Sequence, residues 1–419
     1  MHGLYLKRHG SDVVILEQEP KNIRSSHNAG IGFGPLVQEF LRRYDHTNIQ
    51  NCTPSQLTRL AYRKRLNFLE LNIQRHASSW GLLYRILRSN FDGLPSEPIP
   101  EPPKALEGDG TAEYRAGSRV TKLDYQDGRV TVGYVDGIGN EHSITADFVI
   151  GADGLHSTIR SLVQAPTIKE YSGYVSWRGV VPESNLSEDT VKYFERTNCL
   201  NLLKHNYIVW LASTPVLSMC FSADASSYMI PPDHGSFAPG ERLINFVWYW
   251  NYAQESQALK EVMTDINLTV HSNTVPSGLV RPEVWDRHLA TNLDAVAAPF
   301  AEVISMCKKP FVTKVNDALT DKAIFFDGHL VLVGDALATY RPHLALATEQ
   351  VAGHCLDLGK VWHGEMTLQQ WERKACVQAK RIWLASRAAG VFGLGSWLPF
   401  LSSLLTYLAF SLKLKLGKV

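Results

Sequence analysis

The sequence lacks any pair of cysteines at C-x-x-C spacing. Its six cysteines, at positions 52, 199, 220, 307, 355 and 376, are scattered, and none stands at metal-ligand spacing from a histidine. No metal site is expected, and reduced, buried thiols in an intracellular, cytoplasmic protein are the simplest reading. An excess of one charge is also missing: 42 Lys and Arg stand against 41 Asp and Glu, with no long basic block. Binding to nucleic acid is therefore disfavoured. No secretory leader is visible at Met1. The longest absence is near the C-terminus, where no residue from Ala388 to Leu412 is charged. At 419 residues the chain exceeds one compact core, so two or more lobes are expected.

What is present begins with the stretch from Ala146 to Arg160, ADFVIGADGLHSTIR. Phe148 to Ile150 reads as a buried strand that breaks at Gly151 into a small-residue turn, and the turn leads to a helix carrying Arg160. Asp153 beside Gly154 pairs a carboxylate with a residue that has no Cβ, a combination suited to close approach by a hydroxyl-rich or phosphate-bearing ligand. The logic recurs at Leu330 to Ala336, LVLVGDA, where an apolar strand ends in Gly334 and Asp335. Near the start, Asp12 to Glu17 reads as another strand ending in an acid, the place where a dinucleotide-binding unit holds adenosine ribose hydroxyls.

Asp153, Gly154, Ser157 and Arg160 match the pattern D-G-x-x-S-x-x-R one by one, and Gly334 with Asp335 follows in the expected order. On these residues the chain resembles the single-component FAD-dependent aromatic hydroxylases, the para-hydroxybenzoate-hydroxylase-like monooxygenases. The resemblance implies an α/β fold: a Rossmann-like FAD-binding lobe, an inserted α+β substrate lobe, and a helical, apolar C-terminal tail. It divides the chain into residues 1–170 (FAD lobe, first part), 171–316 (substrate β-sheet lobe), 317–387 (FAD lobe, second part) and 388–419 (tail). By the same resemblance FAD is held by Glu17, Arg24, Ala29, Gly30, Asp153, Gly154, Arg160, Gly334, Asp335 and Pro342. NADPH or NADH reduces it, and O2 yields a flavin C4a-hydroperoxide. Its oxygen hydroxylates or epoxidises a small electron-rich aromatic, prenylated, polyketide or alkaloid-type metabolite. No acid–base triad is needed, because the cofactor supplies the hard chemistry.

Several departures from the family pattern shape the expectations. No strand with G-x-G-x-x-G precedes α-helical residues 1–10, so either coding sequence upstream of Met1 supplies that phosphate cradle or this version binds FAD poorly. Trp80 stands where many members carry an arginine, with Arg85 or Arg88 as substitutes or as a solvated helix face. After Asp335, Pro342 is kept while Ala338, Leu344 and Ala345 replace the usual His and glycines. The Ser79-Trp80 start and the run Arg341-Pro342-His343 resemble the 2,6-dihydroxypyridine 3-hydroxylase branch.

The middle third is rich in aromatic strands, including Phe246 to Tyr252, FVWYWNY. Rings on such strands either line a substrate pocket or simply pack the sheet. Arg178, on an apolar strand, is the polar candidate for a substrate oxyanion, with an internal ion pair as the alternative; Tyr207 is a weaker one. The tail is long enough for a bilayer span, yet Gly390, Gly393, Gly395 and Pro399 interrupt it. A packed or homodimer-forming helix pair and a tail attached to an intracellular membrane are both open. The rival to an oxygenase is a non-catalytic relative acting as a tethered or partner-binding protein.

Overall fold

The computed structural model describes residues 1–22, 29–54, 56–195, 197–203, 225–394 and 397–417. Arg24, Tyr207 and the strands expected at 206–212 and 218–222 lie outside the described residues. Helix α1 (His2–Arg8) ends where Gly10 takes a left-handed φ of +81°, as its basic last turn and glycine stop predict. It leads to β1 (Val13–Glu17), β2 (Gly30–Phe33), α2 (Pro35–Tyr44), a hairpin of β3 (Gln56–Tyr62) and β4 (Arg65–Ser79), and α3 (Trp80–Asp92). The Ser79 hydroxyl caps α3 by accepting from Leu82 N, the expected serine start.

Strands β5 (Ala112–Ala116), β6 (Arg119–Gln126), β7 (Arg129–Val135) and β8 (Glu141–Ala146) lead to β9 (Val149–Gly151) and the short α4 (Thr158–Leu162). The middle of the chain holds β10 (Thr167–Pro182), α5 (Glu188–Phe194), β11 (Thr197–Leu202), β12 (Ala225–Ile230), β13 (Leu243–Asn251), α6 (Gln257–Val262) and β14 (Thr274–Val275). Helices α7 (Pro282–Asn292) and α8 (Ala298–Met306) precede β15 (Phe311–Thr320), β16 (Ile324–Phe325), β17 (Leu330–Leu332) and β18 (Ala338–Thr339). The chain closes with α9 (Ala347–Trp362), α10 (Leu368–Leu394) and α11 (Trp397–Lys415).

The architecture is α/β. Two parallel pairings, β1 with β5 and β9 with β17, belong to separate small sheets, and β6–β7–β8 form an antiparallel sheet of their own. The large mixed sheet runs β14-β15-β10-β13-β12-β11-β3-β4-β2, with β18 added on β15. It therefore recruits residues 30–79 as well as the middle third. The basic–apolar alternation from Leu60 onward is a strand pair whose apolar members Leu60 and Ala61 are fully buried.

Alternation along β10 and β13 divides the aromatic residues between two faces. Trp177, Phe246 and Trp248 are fully buried and pack with Trp285 of α7 and Phe300 of α8. Each such ring contributes roughly 2–3 kcal/mol of burial, so this face is the main core rather than a pocket wall. The apolar spacing from Pro282 to Met306 is helical, in two helices: α7 and α8 are separated at residues 293–297, and Pro299 sits at the start of α8.

Helix α10 runs without interruption past Ala388. Gly390 allows it to lie close to the sheet, since a Cβ there would stand 2.6 Å from Tyr174 Oη and 3.0 Å from His343 Nε2. Helix α11 folds back along α10 as the second arm of a hairpin.

Candidate functional site

The two Gly-Asp turns sit side by side. Strand β9 pairs in parallel with β17, Gly151 opposite Leu332, and Val333 N donates to Gly151 O at 3.0 Å. A Cβ on Gly151 would meet Ile159 Cγ2 and Leu332 Cδ2 at 2.8 Å, so only glycine lets α4 pack against this strand end. Arg160 is 6% exposed and donates from Nη1 to Ala336 O (2.8 Å) and from Nη2 to Leu155 O (2.6 Å). The guanidinium thus ties the Asp153 turn to the Asp335 turn.

The two acids differ in their partners. Asp153 is exposed, but its carboxylate accepts from the Ser157 hydroxyl and from Ile159 N (3.0 Å), while Ser157 Oγ accepts from Arg160 N (2.9 Å). It holds the start of α4 in place, with Gly154 at φ +80° making the turn. Asp335 follows Gly334, at φ +56°, and its carboxylate makes no hydrogen bond or ion pair to the described residues. It is only half-buried by surface area, yet dense protein surrounds it, and the resulting desolvation raises its pKa from 3.8 to about 6. The turn is braced from behind: Gly334 N donates to Nδ1 of His354, whose pKa burial lowers to about 4.

Gly30 runs closely against the large sheet. Its N donates to Asn245 Oδ1 (3.1 Å), its O accepts from Arg178 Nη2 (3.3 Å), and a Cβ on it would stand 2.7 Å from Tyr228 Oη. Gly32 O accepts from Thr348 Oγ1 (2.6 Å), and Glu349 accepts from Leu36 N and Val37 N at the start of α2. The glycine strand is thereby clamped between the sheet and the first turn of α9. Ala29 O accepts from Trp80 N (2.9 Å), and exposed Pro342 leads into Ala345, which is held at φ +51°.

Glu17 lies elsewhere in the topology. It ends β1, which pairs only with β5 among the described strands, and its Oε1 accepts from Glu19 N at 2.9 Å. Neither arginine on α3 is a solvated face residue. Arg85 pairs with Asp233 at 3.3 Å. Arg88, 4% exposed, binds Asp92 and Asn22 and stacks over Tyr114 at 3.5 Å. Trp80 stacks on Tyr84 at 5.1 Å.

The sheet face opposite the tryptophan core is polar. Here Arg178 stands over Phe311 at 5.4 Å, and its Nε is buried without a partner among the described residues. Tyr174 Oη and His343 Nε2 are hydrogen-bonded at 2.7 Å, and the His343 ring lies 4.4 Å from that of Tyr249. Burial, with Arg341 adding to it, lowers the His343 pKa to about 3; burial pushes both tyrosines up, so they stay protonated donors. Below them Asp317, fully buried, accepts from Arg341 Nε (2.6 Å), Trp383 Nε1 (3.0 Å) and Arg387 Nη1 (3.2 Å).

Sequence reasoning missed Tyr174, Tyr228, Asn245, Tyr249 and His343. The available signal was period-two alternation: Arg178, Tyr174, Asn245 and Tyr249 share a face that Trp177 and Trp248 do not.

A cleft of about 450 Å³ beside the Asp153 turn is lined by His156, Arg160, Lys169 and neighbouring polar residues, with Lys169 Nζ donating to His156 Nδ1 at 2.9 Å. Burial, then the neighbouring Arg160, lower the Lys169 pKa; with both cationic side chains lining the cleft, an anion there would offset their mutual repulsion. A second cleft of about 420 Å³, lined by Glu39, Arg43, Asp357 and Lys360 among others, touches none of the motif residues.

A family model described as FAD binding domain-like matches residues 171–317. The chain is 29% identical over 281 residues to 2,6-dihydroxypyridine 3-monooxygenase of Paenarthrobacter nicotinovorans, covering 64% of this chain and 62% of that protein. It is 29% identical over 182 residues to 6-hydroxynicotinate 3-monooxygenase of Bordetella bronchiseptica, covering 42% and 43% respectively. The aligned regions thus span less than two-thirds of either relative's own length. The solved structure of 2,6-dihydroxypyridine-3-hydroxylase from Arthrobacter nicotinovorans superimposes with a TM-score of 0.72 at 24% identity, over 94% of this chain and 90% of that one. In fold the chain is similar to solved aromatic hydroxylases, and its middle segment, residues 171–317, is FAD binding domain-like.

Proposed function

We propose that the chain is an FAD-dependent monooxygenase that hydroxylates a small, electron-rich aromatic ring, with hydroxypyridines the first class to test. In the balanced reaction one atom of O2 enters the substrate. The other leaves as water, and NAD(P)H supplies two electrons. The observation that carries the reading is Asp335, a carboxylate without a partner among the described residues, beside the Arg160-linked turns. A half-buried, desolvated acid of this kind fits a ligand presenting hydroxyl donors, as the ribityl chain of FAD does, and the close approach of backbone at Gly30 and Gly32 fits a flat ring system. FAD, when bound, supplies the reduction of O2 and the oxygen transfer.

The protein's own groups orient and protect. Arg178 offers an unpartnered buried Nε–H to a substrate oxyanion, and protonated Tyr249 and Tyr174 keep the same face dry and donor-lined. The basic cleft at His156, Arg160 and Lys169 fits the anionic reductant, NADPH or NADH. Glu17, Ala29, Gly154 and Pro342 keep supporting cofactor roles in this reading. So does the division at residues 170, 316 and 387, amended by the strands β2–β4 that extend the substrate sheet. A cytoplasmic location accords with five free cysteines among the described residues.

The test is to purify the full chain with FAD and follow NADPH and NADH oxidation over hydroxypyridines and phenols under isotopically labelled O2. Substrate-stimulated oxidation with one labelled oxygen in the product supports the reading. A colourless protein that takes up no added FAD favours the non-catalytic relative instead.

A further inference from the structure

Helix α11 presents an apolar stripe that no other described residue covers. Trp397, Leu398, Leu401, Leu405, Leu408, Leu412 and Leu416 are all exposed, Trp397 and Leu398 at 61% and 60%. At about 100° per residue these seven positions fall within an arc of about 100°, a single face. The opposite face binds α10: Phe400 packs on Phe392 with ring centroids 5.0 Å apart, Lys380 stands over Phe410 at 5.4 Å, and Tyr407 is buried with Leu344, Ala385 and Ala389. Among the described residues the other exposed large apolar side chains form no comparable run along one helix: Ile266, Leu268 and Val270 share one loop, and others, such as Ile138, Leu162 and Met306, are far apart in the chain.

Charge distinguishes what the stripe faces. Residues 373–419 contain eight Lys and Arg and no Asp or Glu, so this segment is strongly basic while the rest of the chain is net acidic. Lys413 and Lys415 flank the stripe at one end, and Trp397 stands at the other. We infer that α11 docks, lying flat, on an anionic lipid surface, with the leucine stripe in the acyl boundary and the lysines at the headgroups.

A second copy fits less well. One face of a 19-residue helix offers a footprint of about 300 Å², against about 800 Å² per partner in a stable interface. A second copy would also present the same uniformly basic segment. Crossing the bilayer is disfavoured because α11 would have to abandon Tyr407, Phe400 and their packing on α10. The inference is independent of the proposed oxygenase activity.

The test is flotation of the purified full chain with phosphatidylglycerol–phosphatidylcholine vesicles and with phosphatidylcholine alone, at low and high salt. The expected result is recovery with anionic vesicles, reversed by salt, and weak recovery with neutral ones. The triple variant L401Q/L405Q/L408Q should lose most of this recovery, and K413E/K415E should bind anionic vesicles at least about tenfold less well. Because all five side chains are exposed, the variants should keep the parent's thermal midpoint and near-ultraviolet circular dichroism, which separates lost docking from lost folding. Three outcomes overturn the inference: no recovery with any vesicle, recovery that only detergent reverses, or a dimer in solution that the triple variant abolishes.

Discussion

Replacing Asp335 by Asn should stabilise the ligand-free protein and weaken its hold on FAD. Desolvation raises the folded pKa of this acid to about 6 from an ordinary 3.8, a difference of roughly 2 units or about 3 kcal/mol. The folded state therefore binds the proton more tightly than the unfolded chain does. Below pH about 4 the group is protonated in both states and costs nothing. As the pH rises through about 6 the folded state loses up to about 3 kcal/mol relative to a neutral side chain, and above that the loss is constant. Thermal unfolding of flavin-stripped wild type and D335N across pH 4–8 should give curves that coincide in acid and diverge with rising pH. With FAD bound the order reverses, because hydrogen bonds to an ionised acceptor contribute roughly 1.5–3 kcal/mol; D335N should bind FAD about 10- to 100-fold more weakly. Parallel melting curves at all pH values would refute the desolvation argument. Unchanged FAD affinity would refute the cofactor role of the residue.

Other consequences follow from the buried contacts. Asp317→Asn leaves the Arg341 guanidinium in the interior without its counter-charge, which should cost about 3–5 kcal/mol, and adding Arg341→Met should recover part of that loss in denaturant unfolding. Gly30→Ala places a methyl about where Tyr228 Oη and Asn245 stand; a loss of about 1–3 kcal/mol is expected, with weaker flavin retention seen by absorbance. Arg178→Met should lower kcat/KM for phenolate or pyridone substrates by about tenfold or more while leaving FAD affinity within about twofold, which steady-state kinetics and flavin titration separate.

The strand ends were the most legible part of the chain, because a short apolar run closed by glycine and an acid has few alternative conformations. β1, β9 and β17 form where the sequence places them, and Arg160 joins the two turns through backbone carbonyls that no motif would have named. Composition could not tell which face of an aromatic strand meets the core. The decisive neighbours of Trp177 and Trp248 are α7 residues more than 30 positions away, notably His288, whose ring lies within about 5 Å of both indoles. Arg88 was unreadable for a similar reason: its partners Asn22 and Tyr114 come from distant segments. The polar face was legible in principle, since Tyr174, Arg178, Asn245 and Tyr249 follow a period of two; it was obscured by the density of rings between them. The His343 contacts depend on α10 approaching at Gly390, a fact of packing that no local pattern encodes.

The central claim is that the turns at Asp153 and Asp335 cooperate in holding one flavin. Titration of the flavin-stripped full chain with FAD, followed by quenching of flavin fluorescence, tests it most directly. The account predicts saturation at one FAD per chain, lost in large part both in D335N and in a variant that separates the turns, Arg160→Met. Binding that is absent, or that both variants leave intact, would contradict it.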